Sequence, residues 1–352
     1  MPDSLAEVAF AIPGDIDTPT GGYIYDRRLL ELLPSYGISA RHIVLPAGYP
    51  RPGDGDLAET ARLLAATSPS TRLIIDGLAY GAMPVDLIAR LDRRIIALVH
   101  HPLALETGLA PARRQELYDS EKAALAMTRH VIVTSDLTRR TLIADYAVPP
   151  DRITVAEPGT DPAPRATGTG APMQLLAVGA VSARKGYDVL IEALRDLDAP
   201  DWRVTIAGAT DRDPATVAGV RDLIVRHGLG DRVTLAGTVV PATLDRFYES
   251  ADLFVLPSLY EGYGMVLAEA MARGLAIVCT TGGAAAETVP DAAAIKVPPG
   301  DAKALTRAIA AVLGDNKLRK EMRRASWETG RTLPTWNETA RRVAAAIVGI
   351  RT

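Results

Sequence analysis

Residues 257–278 read PSLYEGYGMVLAEAMARGLAIV; DLFVLP (252–257) leads into them and AIVCT (276–280) closes them. Two short, β-rich apolar runs thus flank a segment of helical length. Gly262 and Gly264 put the helix start after them, because glycine costs about 1 kcal/mol in a helix interior. Strand, glycine-bearing loop, helix and second strand make one turn of a parallel αβ layer. The segment also carries two acids, Glu261 and Glu269. On one ideal helix, eight steps of about 100° would leave them roughly 80° apart. With the helix beginning after Gly264, Glu261 instead sits in the loop and Glu269 on the helix. The plain alternative is two solvated surface acids, since glutamate is mostly exposed.

The same alternation extends outward in both directions. Strand candidates in the first half are 7–12, 41–45, 72–76, 94–99, 130–134 and 152–156, with helix-length stretches such as Tyr23–Pro34 and Ala110–Met127 between them. EPGTDPAPRATGTGAP (157–172) has almost no bulky apolar residue and reads as a linker. Strands resume at 173–178, 202–208, 232–237, 252–257, 276–280 and 294–297, with helices predicted over 186–197, 214–228, 241–250 and 301–313. Trp336–Val348 has helical spacing and follows LPT. Apolar runs separated by helices imply parallel sheets covered on both faces. The reading is therefore α/β, with two αβ sandwiches joined by one linker. Ligands of open parallel sheets bind at the carboxyl ends of the strands, so residues just after strands are the candidates for chemistry.

Composition narrows the function classes. The chain has 352 residues, enough for two cores, with 48% hydrophobic and 23% charged residues. A formal charge of −3 leaves no electrostatic footprint for nucleic acid. A single cysteine, Cys279, excludes an intrachain disulfide framework and a thiolate zinc cluster. The first residues show no basic n-region followed by a long apolar stretch, and no apolar run reaches the ~18 residues of a membrane span. A cytoplasmic location is expected. Arg93–Arg94, Arg113–Arg114 and Arg139–Arg140 form basic pairs, read either as solvated side chains or as a weak peripheral membrane contact.

Three further stretches follow strands. TPTGGYIYDRRLLELL (18–33) sets Gly21 and Gly22 before a helix, where backbone N–H groups are open to a phosphate or simply make a tight turn. VGAVSARKGYDVLIEAL (178–194) ends a strand and opens a helix with Arg184, Lys185 and Gly186, a cationic turn suited to a diphosphate. LVHHPLALETG (98–108) puts His100 and His101 past a strand, where a neutral imidazole donates to a sugar hydroxyl. No further metal ligand stands near them along the chain, so no metal site is expected. GxGxxG and P-loop fingerprints do not occur, which weighs against a dinucleotide dehydrogenase.

Taken together, PSLYEGYGMVLAEAMARGLAIV, VGAVSARKGYDVL, TPTGG, VHH and AEPGTD (156–161) resemble the motifs of family four of the retaining, nucleotide-sugar-dependent glycosyltransferases. Glu261 and Glu269 match that family's E-x(7)-E motif. The resemblance implies a GT-B fold: two Rossmann-like αβα domains facing each other across a cleft. The domains are an acceptor-binding domain over 1–162, a nucleotide-sugar domain over 163–333, and a helix over 334–352 packing back towards the first. It also implies the site. Lys185, Arg184, Gly21 and Gly22 would hold the donor diphosphate. Glu269 would take the ribose, and Thr238, Val239 and Val240 the base. Gly262, Tyr263, Gly264, Met265 and Val266 form the donor-sugar loop, and Glu261, His100 and Lys185 are the catalytic set. Asp76, Glu106 and His101 are possible acceptor contacts, with helix capping the alternative for the two acids. Ala180, where the family often has arginine, and Pro158, where it often has asparagine, depart from the pattern.

The implied reaction moves a hexosyl group from a UDP- or GDP-sugar to an acceptor hydroxyl with retention, without a metal and without a cofactor beyond the donor. The acceptor, a lipid, a glycan or a small metabolite, is not set by these residues, nor is the oligomeric state. Two alternatives stay open: a nucleotide-sugar epimerase of the same fold, and a non-catalytic sugar-nucleotide-binding partner subunit.

Overall fold

The computed structural model describes residues 6–199 and 201–349. Residues 1–5, part of the stretch read for a signal sequence, and 350–352, the end of the expected C-terminal helix segment, lie outside the described residues. The chain divides into two compact units, Met1–Gly159 with Pro334–Thr352, and Thr160–Leu333.

The first unit holds β1 (Ala6–Pro13), β2 (Ile38–Leu45), β3 (Arg72–Asp76), β4 (Ile95–Val99), β5 (His130–Val133) and β6 (Ile153–Val155). They form one parallel sheet in the order β2-β1-β3-β4-β5-β6. Every residue of β4 is buried, as expected of a strand covered on both faces. The edge strand β2 alternates instead and starts three residues before the predicted Arg41. The helix Gly21–Leu32 is capped by Thr20, whose hydroxyl accepts from Tyr23 N–H at 3.2 Å. The helix Trp336–Gly349 lies against it: the Tyr25 and Trp336 rings meet edge-on at 5.9 Å, and Arg28 stacks over Trp336 at 5.7 Å. A reciprocal Thr335–Glu338 capping box starts that last helix.

The second unit holds β7 (Met173–Val178), β8 (Trp202–Ala207), β9 (Val233–Gly237), β10 (Leu253–Leu256), β11 (Ala276–Thr280) and β12 (Ala294–Val297). This sheet is also parallel, in the order β12-β11-β10-β7-β8-β9. β10 and β11 are buried throughout. The helices Pro214–Arg226, Pro241–Ser250 and Ala302–Gly314 fall where the alternation put them.

The stretch read as a linker is fastened along its length. Thr160–Pro172 belongs to the second unit: Ala166 N–H donates to Arg273 O, and Thr167 and Gly168 N–H to Glu249 O. The buried carboxylate of Asp252 accepts from Gly170 N–H at 3.2 Å and Gln174 N–H at 2.9 Å. Towards the other end, Thr339 donates to Glu157 O at 2.7 Å within the first unit. A segment without bulky side chains still carries a full set of backbone donors, and here they are the attachment. Among the described residues no helix is long and apolar enough to cross a membrane.

Candidate functional site

In the second sheet the strand order reverses between β7 and β10, which are neighbours although far apart in sequence. At such a switch point the connections leave in opposite directions and open a crevice at the carboxyl ends. The loop after β7 carries Arg184 and Lys185 in a single 3-10 turn, Ala183–Lys185. The loop after β10 carries Ser258 and Glu261. Gly186 ends the turn at φ 63° and starts the helix Tyr187–Arg195; a Cβ there would run into Pro257 O. Leu259 N–H closes the two loops onto Arg184 O at 2.8 Å.

The charged groups meet at Glu261. Lys185 Nζ lies 2.6 Å from Oε1 and Arg184 Nη1 3.4 Å from Oε2, and the Ser258 hydroxyl donates to Oε1 at 2.6 Å. Arg184 Nη1 also donates to Tyr260 O at 2.8 Å. The Glu261 side chain is only 7% exposed. Burial by itself would raise its carboxyl, but Lys185 and Arg184 outweigh that and bring it down to about 2. Glu261 is thus an anion at any ordinary pH. Its backbone is pinned as well, in a parallel bridge to Gly283, with Ala284 N–H donating to Glu261 O at 2.8 Å.

Gly264, at φ 90°, opens the helix Met265–Ala272, so Glu261 is in the loop and Glu269 on the helix, as predicted. Glu269 is half-buried and accepts from the Tyr248 hydroxyl at 2.8 Å. Burial raises its carboxyl, against the hydrogen bond from Tyr248 and the charge of Arg273. Arg273 itself stacks on the Tyr248 ring at 4.3 Å and pairs with Asp245 at 2.6 Å. Gly262 and Tyr263 lie between the two acids, and Met265 and Val266 form the first turn of the helix. Thr238, Val239 and Val240 follow β9 at the same carboxyl edge, two strands from β7.

The first sheet has its own reversal, between β1 and β3. Gly21 and Gly22 open the helix after β1, Asp76 ends β3 and His100 follows β4. A Cβ on Gly22 would approach His100 Nε2 to 3.3 Å, so the glycine leaves the ring face open. His100 Nε2 lies 3.4 Å from Asp26 Oδ1 and 3.4 Å from Asp76 Oδ2. Asp26 was not foreseen. It stands one helical turn beyond Gly22, and nothing in the linear spacing joins it to His100. Burial raises the Asp26 carboxyl, with His100 opposing; burial would lower His100, but the two carboxylates outweigh that and raise it. The neutral imidazole read from the sequence is therefore corrected: between two acids, Nε2 favours a positive charge. Asp26, Asp76 and His100 bring their ligand atoms within 4.8 Å of one another, a group able to hold a metal ion, with ligands drawn from elements remote in sequence.

Of the acceptor candidates, Asp76 does cap a helix, accepting from Leu78 N–H at 2.7 Å through Oδ1. Glu106 does not: its carboxylate accepts from Thr107 N–H at 3.0 Å and lies 3.4 Å from His101 Nε2. Ser258 and Tyr248, like Asp26, were missed; each is an ordinary polar residue until the fold brings it to its acid.

Comparison with known proteins fits this geometry. Residues 166–328 match the family model described as glycosyl transferases group 1, and residues 35–164 that of glycosyltransferase family 4. The MMP alpha-(1->4)-mannosyltransferase of Mycolicibacterium hassiacum is 27% identical over 85% of this chain and 78% of its own length. Mannosylfructose-phosphate synthase of Agrobacterium fabrum is 28% identical over 62% of this chain, which spans about half (52%) of that relative. Among solved structures, sucrose-phosphate synthase from Thermosynechococcus elongatus superposes with a TM-score of 0.82 at 21% identity, covering 97% of this chain and 98% of that one. Anabaena HepE, solved with UDP and glucose, superposes with a TM-score of 0.75 at 16% identity, covering 97% and 100%. The two family models adjoin and between them reach into both αβ units, and the chain belongs to glycosyltransferase family 4, with the GT-B fold.

Proposed function

We propose that this glycosyltransferase moves a hexosyl group from a UDP- or GDP-sugar to an acceptor hydroxyl with retention at the anomeric carbon. The observation that carries the reading is the Lys185–Glu261–Arg184 cluster, two cations closed on a buried carboxylate, at the switch point of the second sheet. Two cations and the start of the helix Tyr187–Arg195 suit a diphosphate. Hexosyl transfer passes through an oxocarbenium-like state while a diphosphate leaves, so positioning and neutralisation of the leaving charge carry most of the catalysis. Lys185 and Arg184 supply that charge without a metal ion on the diphosphate. Glu261, held as an anion, accepts hydrogen bonds from sugar hydroxyls and is unsuited to donate a proton. Glu269, oriented by Tyr248, takes the ribose diol, and the main chain of Thr238–Val240 takes the base. The relatives with hexosyl names, and the neighbour solved with UDP and glucose, support a sugar nucleotide as donor.

In the first unit, with Nε2 committed to two acids, His100 meets substrate through its other nitrogen. Calorimetric titration with UDP and GDP tests the assignment. The wild type is expected to bind one of them, and Lys185→Ala to weaken that binding by tenfold or more. Donor incubation with an acceptor panel, followed by NMR of the product's anomeric proton, then reads retention. A Lys185→Ala variant that binds like wild type sinks the diphosphate assignment.

A further inference from the structure

Away from the Asp26–Asp76–His100 group, the first unit holds an open cleft of about 510 Å³. Small-molecule sites typically span about 300–1,000 Å³. Three connections at the carboxyl edge of the sheet wall the cleft: Arg51 in the loop after β2, Ala82 and Pro84 in the segment after β3, and Arg113, Glu116 and Ser120 on the helix Pro111–Met127, which follows β4. Ligands of open parallel sheets are held at this edge. The same helix fastens the loop of His100, since Glu121, beside Ser120, accepts from Leu103 N–H at 2.8 Å.

The charge in this cleft is held in place. Arg113 belongs to a basic pair open to a reading as plain solvated side chains, yet its side chain is only 32% exposed. Its Nη2 donates to Pro50 O at 2.7 Å and its Nη1 to Glu116 Oε2 at 3.1 Å. The guanidinium is thereby fixed beside the residue that precedes Arg51. Of arginine's five N–H donors these bonds take two, and Nε is enclosed without a partner. One N–H on each outer nitrogen is left over, in the fork geometry that matches a phosphate. Arg51 N–H donates to Gly48 O at 2.8 Å and sets the turn, while the exposed Arg51 side chain has no partner among the described residues. Glu116, the acid in the lining, is 64% exposed, so water screens it. Two cations thus share a concave surface with one solvated acid, and an anion between them relieves their repulsion.

We propose that this cleft binds the phosphate group of a small phosphorylated acceptor, with Arg51 and Arg113 as the clamp and the Ser120 hydroxyl as a further donor. Leu57 and Leu117 supply apolar lining for the rest of the molecule. The proposal rests on the transferase reading and names the acceptor's class; the clamp itself is tested without measuring transfer.

Inorganic phosphate is titrated into full-length Lys185→Ala, whose donor turn competes less, and the arginine side-chain 15N resonances are followed by NMR against chloride at equal ionic strength. The expected result is a saturable shift at Arg113, with an affinity that Arg51→Gln in the same background weakens about tenfold or more. No saturable shift, or one that Arg51→Gln leaves unchanged, overturns the site. The acceptor role is read at saturating donor, with sugar phosphates and their unphosphorylated counterparts as acceptors. Phosphorylated compounds should be preferred, inorganic phosphate should compete with them, and Arg51→Gln should raise acceptor KM about tenfold while kcat and nucleotide affinity hold. A preference for uncharged acceptors, or phosphate inhibition that added acceptor does not relieve, overturns that role. Wild-type protein that binds neither UDP nor GDP instead strikes the transferase reading, and the phosphate titration then decides the cleft by itself.

Discussion

Replacing Glu261 by glutamine tests the electrostatics of the second-unit cluster directly. The amide keeps the shape and can still accept from Ser258 and Lys185, so the change removes charge more than contacts. In the folded protein Lys185 and Arg184 hold the Glu261 carboxyl at about 2, against an ordinary glutamate near 4.3 in the unfolded chain. A downward shift of this kind contributes stability that is fully present above the unfolded value and lost as pH falls through the folded one. At about 1.36 kcal/mol per unit, the charge is worth about 3 kcal/mol at pH 7. At pH 3 most of the unfolded-state glutamate is protonated, and the same linkage leaves about 1.5 kcal/mol. The side chain is 7% exposed, so solvent screens little of this. For a unit of this size each kcal/mol moves the midpoint by about 2–4 °C, so Glu261→Gln should lower the second unit's transition by roughly 6–12 °C at pH 7. The assay is differential scanning calorimetry of both proteins at pH 7, 5 and 3. A difference below about 1 kcal/mol at pH 7, or one that does not shrink on acidification, refutes the reasoning.

Two other residues give predictions of opposite sign. Glu121 is buried in the first unit, accepts from Leu103 N–H at 2.8 Å, and is pushed up to about 8 by burial. A raised carboxyl favours the folded state below the unfolded value and loses that advantage as pH rises to about 8. Glu121→Gln should therefore flatten the decline between about pH 4.5 and 8 and leave the variant more stable than wild type by up to about 5 kcal/mol at pH 9, read by chemical denaturation at each pH. Asp252 accepts from backbone N–H groups of Gly170 and Gln174; Asp252→Ala strands them at a cost of about 1–3 kcal/mol each, and should speed proteolysis within 160–172, read by limited digestion.

The strands were legible because parallel strands covered on both faces read as unbroken apolar runs: RIIALV and DLFVLP announce β4 and β10 without reference to neighbours. The helix Asn316–Gly330 went unnamed because its charged sequence, NKLRKEMRRASWETG, hides a stripe that buries only Met322 and Ser326. The segment 157–172 was read as a linker because composition reports side chains, whereas its attachment runs through backbone N–H groups and one aspartate 80 residues further on. The site shows the same division. Lys185 and Glu261 lie 76 residues apart, and only a resemblance links them before the fold is known. Asp26 and Asp76 had no such link to His100, because three connections of one sheet had to converge before they could meet.

That convergence follows from topology. Each sheet winds outward from its first strand in two directions, so the connections after the two central strands part and leave polar side chains facing one crevice. In the second unit the pair is β7 and β10, and the residues delivered are Arg184, Lys185 and Glu261: two fixed cations against one anion that stays ionised. In the first unit it is β1 and β3, joined by β4, and the residues delivered are Asp26, Asp76 and His100: two acids against one imidazole. In the one the cations outnumber the acid; in the other burial raises the Asp26 carboxyl, and the two acids raise the imidazole between them. The diphosphate proposed above completes the first balance, whereas in the second the imidazole itself answers the two carboxylates. The same winding rule therefore yields two crevices with different charge patterns, and the residues that set each pattern come from loops that sequence distance keeps apart.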